Sequence, residues 1–356
     1  MRYTTFGESH GAVVGVLLTA VPPGLPVSEE TFRADLRRRA GGDSPLTTSR
    51  REPDAVRILS GVYGGKTTGD PLCLVIENRD VRDGDYAALQ QTPRPGHGDY
   101  AVHCRSGGCN DPRGGGHQSG RLTAPLVAAG CLAREQLSAH GIVIGAHLRQ
   151  IGGAEDASFD QIPPTAALLD SLRAMDFPTL DAAAGEQMRR EILQAAAAGD
   201  SVGGSVECAI LGLPAGFGGG ENLQSLLARH LLAIPGGKAL GFGIGADFAS
   251  LRGSAANDPY RMENGRVVTE TNHCGGLSGG LSTGMPVTVT LTFRPTPSIA
   301  LPQRTVELET RTDTEITVTG RHDPCIALRA LPVVEAVCGL ALSEGFENLR
   351  ETRRIP

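Results

Sequence analysis

Glycine is the residue that most limits what this chain can become. It takes 48 of the 356 positions, about 13 % against an average usage of about 7 %, and it comes in clusters such as Gly41-Gly42, Gly114-Gly115-Gly116 and Gly236-Gly237. A backbone so furnished turns sharply and often, or approaches something closely. Helical spacing between the clusters is clearest at 29–39 behind the N-cap candidate Ser28, at 122–138, 186–198 and 223–233, and at 330–343. Strand-like runs rich in β-branched residues occupy 13–20, 72–77, 205–211, 287–293 and 314–319. Strands and helices are grouped and not strictly alternating, which predicts an α+β fold over a doubly wound parallel sheet. No low-complexity linker divides the sequence, so 1–356 reads as one domain whose longest loops are 78–97 and 152–165. A faint echo relates the segment from Arg121 to Cys131 with that from Arg329 to Cys338, and Ser9-His10-Gly11 with Asn272-His273-Cys274-Gly275. Two degenerate halves would give an internal pseudo-twofold repeat.

Charge narrows the partners. The formal net charge is −6 with a sequence pI near 5.9, so no global basic field draws nucleic acid or an anionic membrane. Trp is absent and aromatics are 4 %, which leaves little material for stacking bases. All but Lys66 and Lys238 of the 33 cations are Arg. Codon bias alone can produce that total, so the clusters carry the argument. No apolar run approaches the roughly 20 residues of a membrane span. The apolar stretch at 12–21 has Glu8 and His10 before it and Pro22-Pro23-Gly24 behind it, which reads as a strand and not a leader. Eight cysteines without a CxxC pair read as thiols of a cytoplasmic protein, with no metal site.

Four polar constellations stand out. Gly7-Glu8-Ser9-His10-Gly11 sets an imidazole between glycines ahead of a strand; a structural and a proton-transferring histidine are equally compatible with that segment. Arg37-Arg38-Arg39 closes a predicted helix, where cations complement the dipole, yet three in a row cannot share one face. At least one turns toward a cleft and an anion. Arg94-Pro95-Gly96-His97-Gly98-Asp99-Tyr100 and Arg113-Gly114-Gly115-Gly116-His117-Gln118-Ser119-Gly120-Arg121 place open backbone amides beside cations, the physical recipe for holding phosphate. Neither a Walker A ending nor GxGxxG spacing is present. Last come Arg294-Pro295-Thr296-Pro297-Ser298 and Arg321-His322-Asp323-Pro324, where Asp323 is either a catalytic carboxylate or the cap of the final helix.

Taken together, the segments TTFGESHG, ILSGVYGGKTTGDPL, RPGHGDY, RGGGHQSGR, TNHCGGLSGGLSTGMP, RPTPSIALPQRTV and GRHDPC resemble the chorismate synthase family, in the family's order and over nearly the whole chain. The resemblance implies helices sandwiched between two antiparallel sheets in a cytoplasmic homotetramer that partners neither nucleic acid nor membrane. It implies a 1,4-elimination of phosphate from 5-enolpyruvylshikimate 3-phosphate, giving chorismate, that needs reduced FMN without net redox change, with NADPH a candidate reductant. By the same resemblance His10 and His97 handle protons, and Asp323 relays one from the flavin. FMN contacts map onto His117, Gln118, Ser119, Gly279, Arg294, Pro295, Thr296, Pro297, Ser298 and Arg321. Ser9, Arg38, Arg39 and Arg121 map onto the substrate or nicotinamide side. The chain departs from the commonest pattern at His117-Gln118, at Gly98, at Gly120 and Leu122, at Arg294 in place of Lys, and at Pro45 in place of an Arg. Side-chain contacts at His117, Gln118 and Pro45 are those the departures put in question. A flavin reductase indifferent to the substrate and an Arg-lined anion- or RNA-binding module are the competing readings.

Overall fold

Two antiparallel sheets organise the molecule, and each follows from where its apolar residues alternate. The computed structural model describes residues 1–41, 44–80, 89–218, 222–318, 320 and 322–352. In the first sheet the strands run in the order Arg2–Gly7, Val13–Thr19, Leu72–Glu77 and Val56–Ser60. Val14, Val16 and Leu18 on one strand and Leu72, Leu74 and Ile76 on its neighbour are buried, the period-2 pattern of a sheet with one covered face. The second sheet runs Gly237–Phe242, Val287–Phe293, Gly204–Leu211, Val143–Ile151 and Ala154–Glu155, again antiparallel throughout. Its strand Gly204–Leu211 is buried almost end to end, because both of its faces are covered.

The helices are α1 (Arg33–Arg39), α2 (Asp99–Ser106), α3 (Thr123–Ser138), α4 (Ala166–Ala174), α5 (Ala182–Ala197), α6 (Leu223–Leu231), α7 (Gly253–Ala256) and α8 (Ala327–Thr352). Helix α3 is apolar nearly all round and correspondingly buried, as a helix inside a molecule must be. It packs against the first sheet and against α8, which in turn packs on the second sheet. One hydrophobic core runs through both sheets and this helix pair. On the far side of the second sheet, Leu169 and Leu172 of α4 meet Phe159 and Ala209 in a smaller cluster. The α+β sandwich expected from the sequence is the fold observed, and the two segments that echo each other in sequence become the central helices α3 and α8.

Candidate active site

A cleft of about 400 Å³ takes its walls from residues scattered between Ser9 and Val333, a size typical of small-molecule sites. The loop after the first strand brings His10 to it. Ser9 Oγ lies 3.1 Å from His10 Nδ1, and Ser9 N donates to Gly116 O at 3.1 Å, so the GESHG segment is tied to the triple-glycine turn. Gly114 has a φ of +65°, and a Cβ there would come within 2.6 Å of both the His10 ring and Ser9 Oγ. The glycine run thus serves to let backbone close on the imidazole.

Arg39, at the C-terminal end of α1, reaches the cleft with each of its three guanidinium nitrogens bonded to the protein and two of an Arg side chain's five N–H groups left over. It donates to Thr123 Oγ1 at 3.0 Å, to Gly120 O at 3.0 Å and to Asp54 Oδ2 at 3.1 Å. Arg121 grips the other oxygen of Asp54 and donates to Asn78 Oδ1 at 2.9 Å. Burial opposes the charge on Asp54, but Arg39 and Arg121 overcome it and hold the carboxyl below the usual carboxylate range. Burial, then repulsion from Arg329, presses the Arg39 pKa down to about 9. Arg39 therefore remains cationic at neutral pH, and an incoming anion would relieve that pressure.

His97 belongs to a second, tighter group. Arg94 clamps Asp99 through Nε and NH2, each at 2.8 Å, and also reaches Ser298 Oγ at 3.1 Å. His97 Nδ1 lies 2.5 Å from Asp99 Oδ1. Burial works against ionisation of Asp99, yet the bonds from Arg94 and His97 keep its carboxyl well below the usual range. An ionised carboxylate only accepts, so Nδ1 carries the proton it donates to Asp99, and Nε2 is the nitrogen left for proton exchange.

Asp323 is not the cap of α8. Its Oδ1 accepts from Thr48 N at 2.9 Å and its Oδ2 from Arg329 NH1 at 2.6 Å, while Arg329 Nε donates to Arg39 O at 2.9 Å. The carboxylate ties the 44–50 loop to α8 and α1, and it lines the cleft.

Of the residues named from sequence, the cleft gathers Ser9, His10, Arg39, His97, Gln118, Ser119, Arg121, the whole 294–298 loop and Asp323. Arg38 is a correction. A step of one residue turns a helix by about 100°, so Arg38 points away from the cleft. It forms a two-bond pair with Glu335 at 2.6 and 2.9 Å behind it, in a network with Asp35 and Arg173. His117 is exposed, with its Nδ1 3.0 Å from Gly7 O, and its side chain is not part of the wall. Gly279 sits in a short hairpin, Leu277–Ser278 against Leu281–Ser282, away from the cleft. Arg321 lies outside the described residues. Sequence reading gave no role to Arg50, Lys238 or Arg329, which also line the cleft. Arg329 opened the echo of α3 and Lys238 was one of two lysines; only the closure of distant loops unites them with Arg50.

Comparison with known proteins gives a single family. The model described as chorismate synthase matches residues 1–346. A chorismate synthase of Thermococcus gammatolerans is 46 % identical over 347 residues, which cover 97 % of this chain and 95 % of that one. One from Aeropyrum pernix is 45 % identical over 351 residues, covering 96 % and 90 %. A solved structure titled "Crystal Structure of Chorismate Synthase" superposes with a TM-score of 0.75 at 25 % identity, covering 98 % of this chain and 92 % of that one.

Proposed function

The chain belongs to the chorismate synthase family, and from that premise we propose how its cleft performs the family's reaction. It is a carbon–oxygen lyase whose reaction removes phosphate from 5-enolpyruvylshikimate 3-phosphate by 1,4-elimination and leaves chorismate. One observation carries the assignment to this cleft: seven Lys and Arg side chains against four carboxylates line it, in a chain whose net charge is −6. A substrate bearing two carboxylates and a phosphate needs convergent guanidinium forks, and Arg39, Arg50, Arg121 and Arg329 supply them.

His10 and His97 are the proton handlers of this reading. An imidazolium beside the departing phosphate protonates it or offsets its growing charge, and the second imidazole exchanges a proton elsewhere in the site. Ser9 orients His10, and Asp99 orients His97 by fixing the proton on Nδ1. Asp323, held by Thr48 N and Arg329, keeps lone pairs with which to take up a proton.

The family is flavin-dependent, and the residues of the cleft fit FMN. Thr296 Oγ1 is buried without a hydrogen-bond partner, Gln118, Ser119 and Arg294 add polar groups, and Ile234, Ile326 and Val333 offer apolar walls to a flat ring. Reduced FMN, when bound, would lend electron density to the reacting ring of the substrate. The cleft takes walls from both ends of the sequence, so we assign the whole chain to one catalytic domain. A homotetramer is supported by the exposed apolar side chains of Tyr260, Met262 and Val267 on one hairpin. A cytoplasmic location is supported by the cysteines, all of them free thiols. NADPH stands as the candidate reductant.

The test is an anaerobic assay with photoreduced FMN and the enolpyruvyl substrate, read as chorismate absorbance. Product is expected. Flavin-loaded protein that forms none, or that consumes NADPH at a rate the substrate does not change, would overturn the reading.

A further inference from the structure

Asn78 stands outside the cleft wall, yet it touches the two segments that bring His10 and Arg121 there. It follows at once on the strand Leu72–Glu77 and is half-buried. The loop opposite joins the strands Arg2–Gly7 and Val13–Thr19. That loop is a tight turn, in which Gly11 N donates to Glu8 O at 3.1 Å and Ser9 and His10 occupy the corners. Asn78 spans the turn from end to end. Its Nδ2 donates to Glu8 O at 3.0 Å and to Gly11 O at 2.8 Å, and its backbone N donates to Ala12 O at 3.1 Å. On the other side of the same amide, Oδ1 accepts from Arg121 Nε at 2.9 Å.

Carbonyls only accept and a guanidinium only donates, so the amide can face one way. Both of its N–H groups go to the turn and its oxygen goes to the arginine. No other side chain of that size supplies two donors and an acceptor on one rigid plane. The surroundings hold the same two groups from other directions. Ser9 N donates to Gly116 O at 3.1 Å, which closes the turn from the side of the glycine run. Arg121 NH2 reaches Glu77 O at 3.3 Å and NH1 grips Asp54, so consecutive residues 77 and 78 both hold its guanidinium. His10 and Arg121 retain only 7 % and 5 % exposure. Close packing of that kind passes a displacement of the turn on to the ring.

We propose that Asn78 is a positioning residue of this active site: one side-chain amide sets the separation between the proton-handling imidazole of His10 and the anion-gripping guanidinium of Arg121. The seating rests on these bonds alone; what the two seated groups do rests on the function proposed above. A proton donor and a cation that act on one small anion must keep their spacing to within about 0.5 Å. These two come from distant parts of the sequence, and the amide is where their supports meet.

The test compares Asn78→Ala with Asn78→Asp, which has nearly the same shape and keeps an oxygen for Arg121 but loses both donors to the turn. Each should lower kcat by about tenfold or more, the worth of two lost hydrogen bonds. The KM for the enolpyruvyl substrate should rise about tenfold in Asn78→Ala, where Arg121 also loses a partner, and clearly less in Asn78→Asp. A double-mutant cycle separates positioning from scaffolding. Once His10→Ala has removed the ring, adding Asn78→Ala should lower kcat by less than about twofold further, whereas independent effects would multiply. Multiplying effects, or an unchanged kcat and KM in Asn78→Ala, would overturn the proposal. Amide hydrogen exchange reads the seat without substrate: segment 8–12 should exchange about tenfold faster or more in both variants, and exchange equal to that of the wild type would likewise overturn it. Wild type that forms no chorismate, beside variants that loosen this segment, would count against the function and leave the seating standing.

Discussion

Two imidazole–carboxylate groups in this molecule look alike on paper and differ in what they leave over. His97 meets Asp99 at 2.5 Å in the cleft, where the side chains retain 20 % and 14 % exposure. His147, on the strand Val143–Ile151, is wholly buried, with Nδ1 3.0 Å from Asp156 and Nε2 2.9 Å from Glu207. Asp156 also accepts from Leu180 N and Asp181 N, and Glu207 from Phe159 N at 2.9 Å. Every polar atom of the His147 ring is therefore spent on pinning the 156–181 segment to the second sheet. Burial works against a charge on that ring, but the two carboxylates prevail and raise its pKa. His97 keeps one ring nitrogen for a ligand. Spare valence beside a cavity, and not the imidazole–carboxylate pair as such, separates a reactive site from a structural staple.

The contrast can be broken most forcefully by truncation. His97→Ala and His10→Ala are each expected to cut turnover by roughly 10²–10⁴-fold with little change in melting temperature; near-normal turnover would remove that residue from the mechanism. His147→Ala should do the reverse, lowering stability by about 3–5 kcal/mol, because two buried carboxylates lose their partner, while turnover per folded molecule holds. Denaturant melts beside single-turnover assays separate the two outcomes. Asp323→Asn should come next, with a loss of roughly 10–100-fold, the scale of a hydrogen bond to a charged group. An unchanged melting temperature there would set catalysis apart from scaffolding.

The smallest expected effect is the pH dependence of the staple. The folded pKa of His147 is raised above its unfolded value of about 6.5. Its contribution is therefore fully present below about pH 6.5 and is lost as pH rises through the folded value. The lowered carboxyl of Asp156 works in the opposite sense: its contribution is present above the unfolded carboxyl pKa of about 3.9 and is lost as pH falls through the folded value. The stability gap between wild type and His147→Gln should accordingly narrow from pH 6 toward alkaline pH in parallel melts. A gap that widens would show the ring to be held neutral.

Local pattern made much of the scaffold readable. The runs at 72–77 and 287–293 are dense in β-branched and apolar residues and coincide with strands Leu72–Glu77 and Val287–Phe293. The strand Val143–Ile151 was missed, because Gly145, Ala146 and His147 interrupt its apolar run and the partners that make a buried His147 tolerable lie at 156 and 207. The same distance problem hid parts of the site. Neighbouring Arg38 and Arg39 look equivalent in sequence until a helix turn sends one to Glu335 and the other to Asp54. Arg329 acquires a role only because Asp323 and the end of α1 meet it across the cleft. Motifs announced the chemistry; long-range closure decided which of their side chains could take part.

The central claim is that one cleft holds a flavin and a small polyanion together. It is tested most directly by titrating FMN into the protein with and without saturating 5-enolpyruvylshikimate 3-phosphate, followed by flavin fluorescence and absorbance. Ligands sharing these walls should perturb each other, so the substrate is expected to change both the flavin spectrum and its Kd. A spectrum and an affinity indifferent to saturating substrate would place the two ligands apart and contradict the claim.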